Sequence, residues 1–257
     1  MRTETEMVAY ALEVEPRLLP WMPELLSDFD ELGSDAGTIV EVLKRLDLPA
    51  SARIVDLGCG KGAVSIAVAQ ALGCRVEGIE LFQPFIEICN QQASAAGVAD
   101  LCRFRHGDIV RLSGQIEPAD VAIYAALGDV LGSFETVVEI VRRFVRTGGI
   151  MLICEGYIKP GQSSDFPVFE NYLSREEMLQ RLQAKGDVLA YEWIDTEDRS
   201  SDYAGEIAQL RQRAERLAEQ QPELETELMQ FIADQQDEYA FMAEYFVSAI
   251  WALQRVD

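Results

Sequence analysis

The sequence predicts an α/β fold, a doubly wound and mostly parallel sheet, and three observations carry that prediction. Short apolar segments alternate with segments of helical period. The apolar segments are nearly uninterrupted, as strands covered on both faces must be. The first of them, Arg53–Leu57, runs straight into Gly58, Gly60 and Gly62 and then into a helix. Each crossover helix has to bury its apolar stripe on the sheet, so helices are expected on both faces.

Taken in order, a helical stretch is predicted over 16–46, with Trp21, Met22, Leu25 and Leu26 close to acids and Gly33-Ser34 before a helix over 38–46. Arg53–Leu57 is the first strand and Ala63–Leu72 the first crossover helix, ended by Gly73. Arg75–Glu80 is the second strand, followed by a helix over 84–96 on which Phe85, Ile86, Ile88 and Cys89 recur with helical spacing. Further strands are predicted at Cys102–His106, at 121–125 and at 150–154, the last after a helix over 134–145 and a turn at Gly148-Gly149. A helix over 174–184, a strand at Val188–Ile194 and a final strand over 245–255 close the list. Between the last two strands, 196–242 reads as two helices broken at Pro222, which is tolerated in a first turn and so starts the second. Their stripes, Ile207, Leu210, Ala214 and Leu217, then Leu224, Leu228, Phe231 and Ile232, last about two heptads each, so a helical cap on the same subunit is expected rather than a coiled coil. The division expected is an N-terminal helical cap segment over 1–50 and a main domain over 51–257 that includes the 196–242 insertion.

With 49% apolar residues in 257, the chain can bury one sizeable core. Its net charge of −22 is unevenly spread: residues 51–162 hold 10 basic and 12 acidic side chains, residues 163–257 hold 8 and 21. Such a field repels nucleic acid and anionic lipid, so neither is an expected partner. Five cysteines, odd in number and without paired metal-ligand spacing, point to a reduced cytoplasmic protein with no metal site. The acidic first fifteen residues lack a secretory pattern, and no apolar run approaches a membrane span.

The glycine loop is a nucleotide cradle, because glycine lets the backbone turn and a ligand approach where a Cβ would block it, and the next helix offers unpaired N–H groups. Ala63 stands where the dinucleotide fingerprint Gly-x-Gly-x-x-Gly puts its third glycine. Asp56, directly before the glycines, suits an ammonium group or loop N–H donors better than a pyrophosphate. Glu80 ends the second strand, where a carboxylate can accept both ribose hydroxyls. Asp108 follows the third strand and could accept an adenine amine, with Leu81 and Ile109 against the ring faces. Each acid taken singly is as readily a cap or a solvated residue.

Together Val55-Asp56-Leu57-Gly58-Cys59-Gly60-Lys61-Gly62, Gly78-Ile79-Glu80, Gly107-Asp108-Ile109 and Arg146-Thr147-Gly148-Gly149 resemble the ordered motifs of class I S-adenosylmethionine-dependent methyltransferases. The resemblance covers roughly residues 50–160. It implies a seven-stranded sheet whose last strand is antiparallel, with S-adenosylmethionine as cofactor and S-adenosylhomocysteine as product. It places Gly58 and Gly60 by the methionine part, Glu80 on the ribose, Asp108 and Ile109 on the adenine, and Ala125 and Ala126 beside the sulfonium. Cys59 reads as a small residue that fits the loop. Tyr124-Ala125-Ala126-Leu127-Gly128 replaces the Asn/Asp-Pro-Pro-Tyr/Phe motif of amino-methylating nucleic-acid enzymes, in keeping with a small-molecule acceptor methylated on nitrogen or oxygen. Glu155 and Tyr157, past the fifth strand, are the candidates for the acceptor pocket, ahead of Tyr124 and His106; Asp202, Tyr203 and Tyr245 are candidates to complete it. The rival readings are an NAD-dependent oxidoreductase, which lacks the third glycine, and a protein that binds S-adenosylmethionine without transferring its methyl.

Overall fold

The computed structural model of the chain describes residues 2–49, 51–161, 172–197 and 199–257. Seven strands, β1 (Arg53–Leu57), β2 (Arg75–Glu80), β3 (Cys102–His106), β4 (Ala119–Ala125), β5 (Val145–Ile158), β6 (Val188–Ile194) and β7 (Phe246–Gln254), form one sheet in the order β3-β2-β1-β4-β5-β7-β6. The pairs β1–β2, β1–β4, β2–β3 and β4–β5 are parallel, and β6–β7 is antiparallel. The Gly148 N–H donates to Arg255 O at 2.9 Å and the Lys159 N–H to Tyr245 O at 2.7 Å. Residue numbers ascend on one strand as they descend on the other, so β7 alone runs against its neighbours. The predicted fold class is the observed one.

The chain divides into two compact units. One comprises, among described residues, 30–157, 172–194 and 248–257 and holds most of the sheet. Helices α3 (Ala36–Lys44), α4 (Ala63–Leu72), α5 (Gln83–Ala95), α6 (Ile109–Leu112), α7 (Phe134–Val141) and α8 (Arg175–Leu182) belong to it. Its core joins Ile39, Val42 and Leu43 of α3 and Val64 and Val68 of α4 to Ile54, Val76, Val121 and Leu152 of the strands. Burying side chains of this size contributes about 1.5–3 kcal/mol each, which is why such apolar strands sit at the centre of the sheet. The other unit comprises residues 2–29, 158–161, 195–197 and 199–247, with α1 (Glu4–Ala11), α2 (Met22–Leu25), α9 (Ser200–Gln220) and α10 (Glu225–Tyr245). Leu210, Ala214 and Leu217 of α9 and Leu228, Phe231 and Ile232 of α10 are its buried stripes. Arg213 grips Asp28 through Nε and Nη2 at 2.6 and 2.5 Å, and Lys159 Nζ donates to the terminal carbonyls of α10, Ala243 O and Glu244 O.

Four expectations change. The units cut across the division at residue 50: α3 packs with the sheet, whereas residues 2–29 group with α9 and α10. The stretch 16–46 is a 3-10 turn over Pro16–Trp21, then α2, a loop and α3, because Pro20 and Pro23 interrupt the helical ladder and Gly33 adopts φ +82°. Helix α1 escaped the periodicity reading, although Thr3 and Glu6 form a reciprocal capping box that marks its start. Finally, the helix expected over 134–145 stops at Val141, a 3-10 turn covers Arg142–Phe144, and β5 begins at Val145. Residues 146–149 are therefore a bulge inside β5 rather than a turn before it. Ala119 pairs with Val145 but Val121 pairs with Ile150, which leaves three extra residues on β5.

Candidate active site at the carboxyl ends of the strands

The loop after β1 takes its shape from glycine. Gly58, Gly60 and Gly62 all have left-handed φ, at +68°, +52° and +88°, and Gly62 is the N-cap of α4. A Cβ on Gly58 would stand 2.6 Å from Leu127 Cδ1, and one on Gly62 3.0 Å from Cys89 Sγ. Backbone conformation and space thus agree in requiring glycine. Cys59 points beneath the loop: its Sγ would meet a Cβ on Gly78 at 2.8 Å, and contact with Cys89 together with burial pushes its thiol well above the usual range. It is a packing residue and a poor nucleophile.

Glu80 ties the end of β2 to this loop. Its Oε2 accepts from the Gly60 N–H at 3.0 Å and its Oε1 from the Phe82 N–H at 2.7 Å. A carboxylate has about four acceptor positions, so both oxygens can still receive hydroxyl donors. Burial raises the Glu80 carboxyl above its ordinary range, against the lowering by those N–H groups. Asp56 has a different partner from those expected: it is 2% exposed, and its Oδ2 accepts from the Ser65 hydroxyl on the first turn of α4 at 2.6 Å. Burial pushes its carboxyl up to about 6. Nine residues apart, Asp56 and Ser65 escaped the sequence reading, because nothing in the spacing requires them to meet. Asp108 caps α6, accepting from the Val110 N–H at 2.8 Å, with Arg111 Nε 3.5 Å away. Ile109 is buried, and Leu81 is half-buried with its carbonyl 2.8 Å from His106 Nε2.

The loop after β4 faces the glycines. Ala125 is half-buried and Ala126 exposed, and Ala126 adopts φ +52° without being glycine. Glu155 Oε1 accepts from the N–H groups of both Leu127, at 3.2 Å, and Gly128, at 2.8 Å. The Tyr124 hydroxyl donates to Gly128 O at 2.9 Å. Burial pushes the Glu155 carboxyl up to about 7, opposed by the two N–H groups. Tyr157, two residues on, shares its side of β5 but packs on Trp251, ring centroids 6.3 Å apart, and is 6% exposed. The segment before α3 also reaches this region: a Cβ on Gly60 would stand 3.4 Å from Leu32 Cδ1, and one on Gly33 3.0 Å from Ala126 Cβ. Leu32, Gly33, Ser65 and Leu127 are neighbours of the site that the motifs do not mark.

The structure therefore brings Gly58, Gly60, Glu80, Leu127 and Ala126 around one loop system, places Asp56 and Cys59 beneath it, and sets Asp108 and Ile109 at the end of the adjacent β3. Among the described residues no group of His, Cys, Asp and Glu forms a metal-holding cluster, and no helix is long and apolar enough to cross a membrane.

A seven-stranded sheet with one reversed strand and a glycine loop where β1 meets α4 defines an α/β protein with a ligand crevice at its strand ends. Residues 54–149 match the family model described as a methyltransferase domain. The chain is 30% identical over 112 residues to the uncharacterized protein YjhP of Escherichia coli strain K12, covering 44% of this chain and 45% of that one. It is 26% identical over 153 residues to a demethylmenaquinone methyltransferase of Lactiplantibacillus plantarum, covering 58% and 64%. Among solved structures, a SAM-dependent methyltransferase from Geobacter sulfurreducens in complex with S-adenosyl-L-homocysteine aligns at TM-score 0.75 and 24% identity, over 93% of this chain and 98% of that one. The matches to these two curated relatives span less than two thirds of their length. Over residues 54–149 the chain thus matches a methyltransferase domain, and its fold is similar to that of the aligned methyltransferase.

Proposed function

We propose that the protein binds S-adenosylmethionine at the carboxyl ends of β1, β2 and β4 and transfers its methyl group to a small-molecule acceptor, on nitrogen or oxygen. The observation that carries the reading is the joint between Glu80 and the Gly60 N–H, which places an acceptor-only side chain beside a backbone stripped of Cβ atoms. Those features fit the cofactor's polar and bulky parts: Gly58 and Gly60 would take its methionine end, with Asp56 and Cys59 supporting the loop from below. Glu80 would take the ribose hydroxyls, and Leu81, Asp108 and Ile109 the adenine. Ala125 and Ala126 would flank the sulfur, where small side chains leave room for an acceptor.

When bound, the cofactor supplies a methyl group activated by positively charged sulfur for in-line displacement. The protein's part is then to align the acceptor and exclude water, and general-base chemistry matters only for an acceptor protonated at working pH. Glu155, through the β4 loop that it binds, and Tyr157 would border the acceptor side. The net charge of −22 supports a small molecule over nucleic acid, as does the demethylmenaquinone named for one relative. Titration calorimetry with S-adenosylmethionine, S-adenosylhomocysteine and NAD tests the reading. Binding of both adenosyl ligands is expected; tight NAD binding with neither of them would overturn it. Label transfer from methyl-labelled cofactor to a panel of amines, phenols and carboxylic acids then separates a transferase from a binding-only protein.

A further inference from the structure

Glu155 sits on β5, yet both of its hydrogen bonds reach across to the β4 loop, where the N–H groups of Leu127 and Gly128 converge on a single oxygen. That loop does not rest in a relaxed conformation. Ala126 and Gly128 both take left-handed φ, +52° and +50°, and for alanine this costs conformational energy that its surroundings must supply. Three further contacts depend on the shape so held. The Ala126 N–H donates to Cys154 O at 3.1 Å, the Tyr124 hydroxyl reaches Gly128 O, and the Leu127 side chain lies over Gly58. Ala126 Cβ also meets Gly33. Glu155 thus binds the loop whose residues border both Gly58 and Gly33.

We propose that Glu155 is a positioning residue for the cofactor, holding the β4 loop in the shape that seats Leu127 over Gly58 and sets the wall of the cofactor crevice. The inference rests on the methyltransferase reading of this site. A carboxylate suits the task because a charged acceptor binds N–H groups about twice as strongly as a neutral one. It is also a costly choice. Burial is the main force raising its carboxyl, the negative Asp129 on the β4 loop adds to it, and the other ionisable groups beside it, the Tyr124 hydroxyl and the Cys154 thiol, are neutral acids that supply no counter-charge. A side chain needed only for packing would be better neutral. With its carboxyl at about 7, the strength of the clamp changes across neutral pH: ionisation tightens it, protonation loosens it.

The test compares wild type, Glu155→Ala and Glu155→Gln by amide hydrogen exchange at residues 126–128 without ligand, and by calorimetric titration with S-adenosylhomocysteine from pH 6 to 8. Glu155→Ala should speed exchange at Leu127 and Gly128 and weaken binding by roughly tenfold or more, while Glu155→Gln, which keeps an acceptor oxygen, restores most of both. Wild-type affinity should rise with pH across this range, and the rise should be clearly smaller in Glu155→Gln. Unchanged exchange and affinity in a folded Glu155→Ala overturn the proposal. If Glu155→Ala does not fold, Glu155→Gln decides: a pH profile identical to that of wild type overturns it. Should wild type bind neither adenosyl ligand, the cofactor reading falls by itself, and the exchange rates still judge the clamp.

Discussion

The two ends of the sheet treat their acids in opposite ways. At the amino ends of the strands, Asp120 accepts from the Arg53 N–H and from Arg146 Nε, both at 2.8 Å. Burial pushes that carboxyl up, but these donors outweigh it and hold it below the ordinary range. At the same end Asp187, 1% exposed, pairs with Arg142 and accepts from the Val256 N–H, which anchors the chain after β7. At the carboxyl ends Asp56, Glu80 and Glu155 are held by a hydroxyl and by backbone N–H groups, all neutral, and burial raises all three. One end spends guanidinium groups on holding strands together; at the other, Asp108 has Arg111 within 3.5 Å, but Asp56, Glu80 and Glu155 are held by neutral donors. The comparison teaches that a candidate site can be recognised by where a fold tolerates carboxyls that its own stability would rather neutralise.

The largest expected effect tests the structural end. Asp187→Ala leaves Arg142 without its buried partner and should lower stability by about 3–5 kcal/mol in urea unfolding, with S-adenosylhomocysteine affinity of the folded fraction unchanged. An affinity loss in that variant would break the separation of the two ends. Gly58→Val meets both φ +68° and Leu127, and should weaken adenosyl-ligand binding by about a hundredfold or more. Undiminished binding would remove the glycine loop from the site.

The acids then differ in the sign of their pH dependence. In wild type, between about pH 4 and 6, folded Asp56 retains a proton that the unfolded chain has released. Its contribution to stability therefore falls as pH rises through that window and stays lower above it. Asp56→Asn should remove the slope and raise stability at pH 8 by about 1–3 kcal/mol relative to wild type, if Ser65 accepts the amide. Asp120→Asn should do the reverse on a smaller scale, costing about 1 kcal/mol at pH 7, a difference that vanishes as pH falls through the lowered carboxyl range. Unfolding curves at pH 3, 5 and 8 check both, and slopes of the same sign would erase the contrast.

Much of this was legible in the order of residues, for identifiable reasons. The βα alternation and Pro222 are local signals, and β1, β2, β3, β6 and α4 fall at their expected bounds. The glycine spacing likewise marked a tight turn of the backbone, and Gly58, Gly60 and Gly62 all take left-handed φ there. What escaped depends on contacts between distant residues. Gly148-Gly149 reads as a turn until Ala119 and Val145 are seen to pair, which extends β5 backward. Leu127 over Gly58, and the two amides that share one Glu155 oxygen, bring together residues 69 and about 28 positions apart that no local period connects. The N-terminal segment was misread because apolar residues at helical spacing dominated the view, while the prolines that break the ladder carried the decisive information.

The bulge in β5 has a consequence for how such a chain can vary in length. Residues 146–148 are exposed and unpaired with β4, with Gly148 bonded to Arg255 on the other side, whereas Ile150 to Cys154 are buried and pinned residue by residue to β4. In a strand with a strict two-residue period, one insertion reverses which face every later side chain occupies. Here the extra residues lie upstream of the pinned stretch, so a change of length at 146–147 is expected to be taken up before it reaches Glu155. The bulge works as an expansion joint, a place where the gene can gain or lose codons while the far end of the strand keeps its aim.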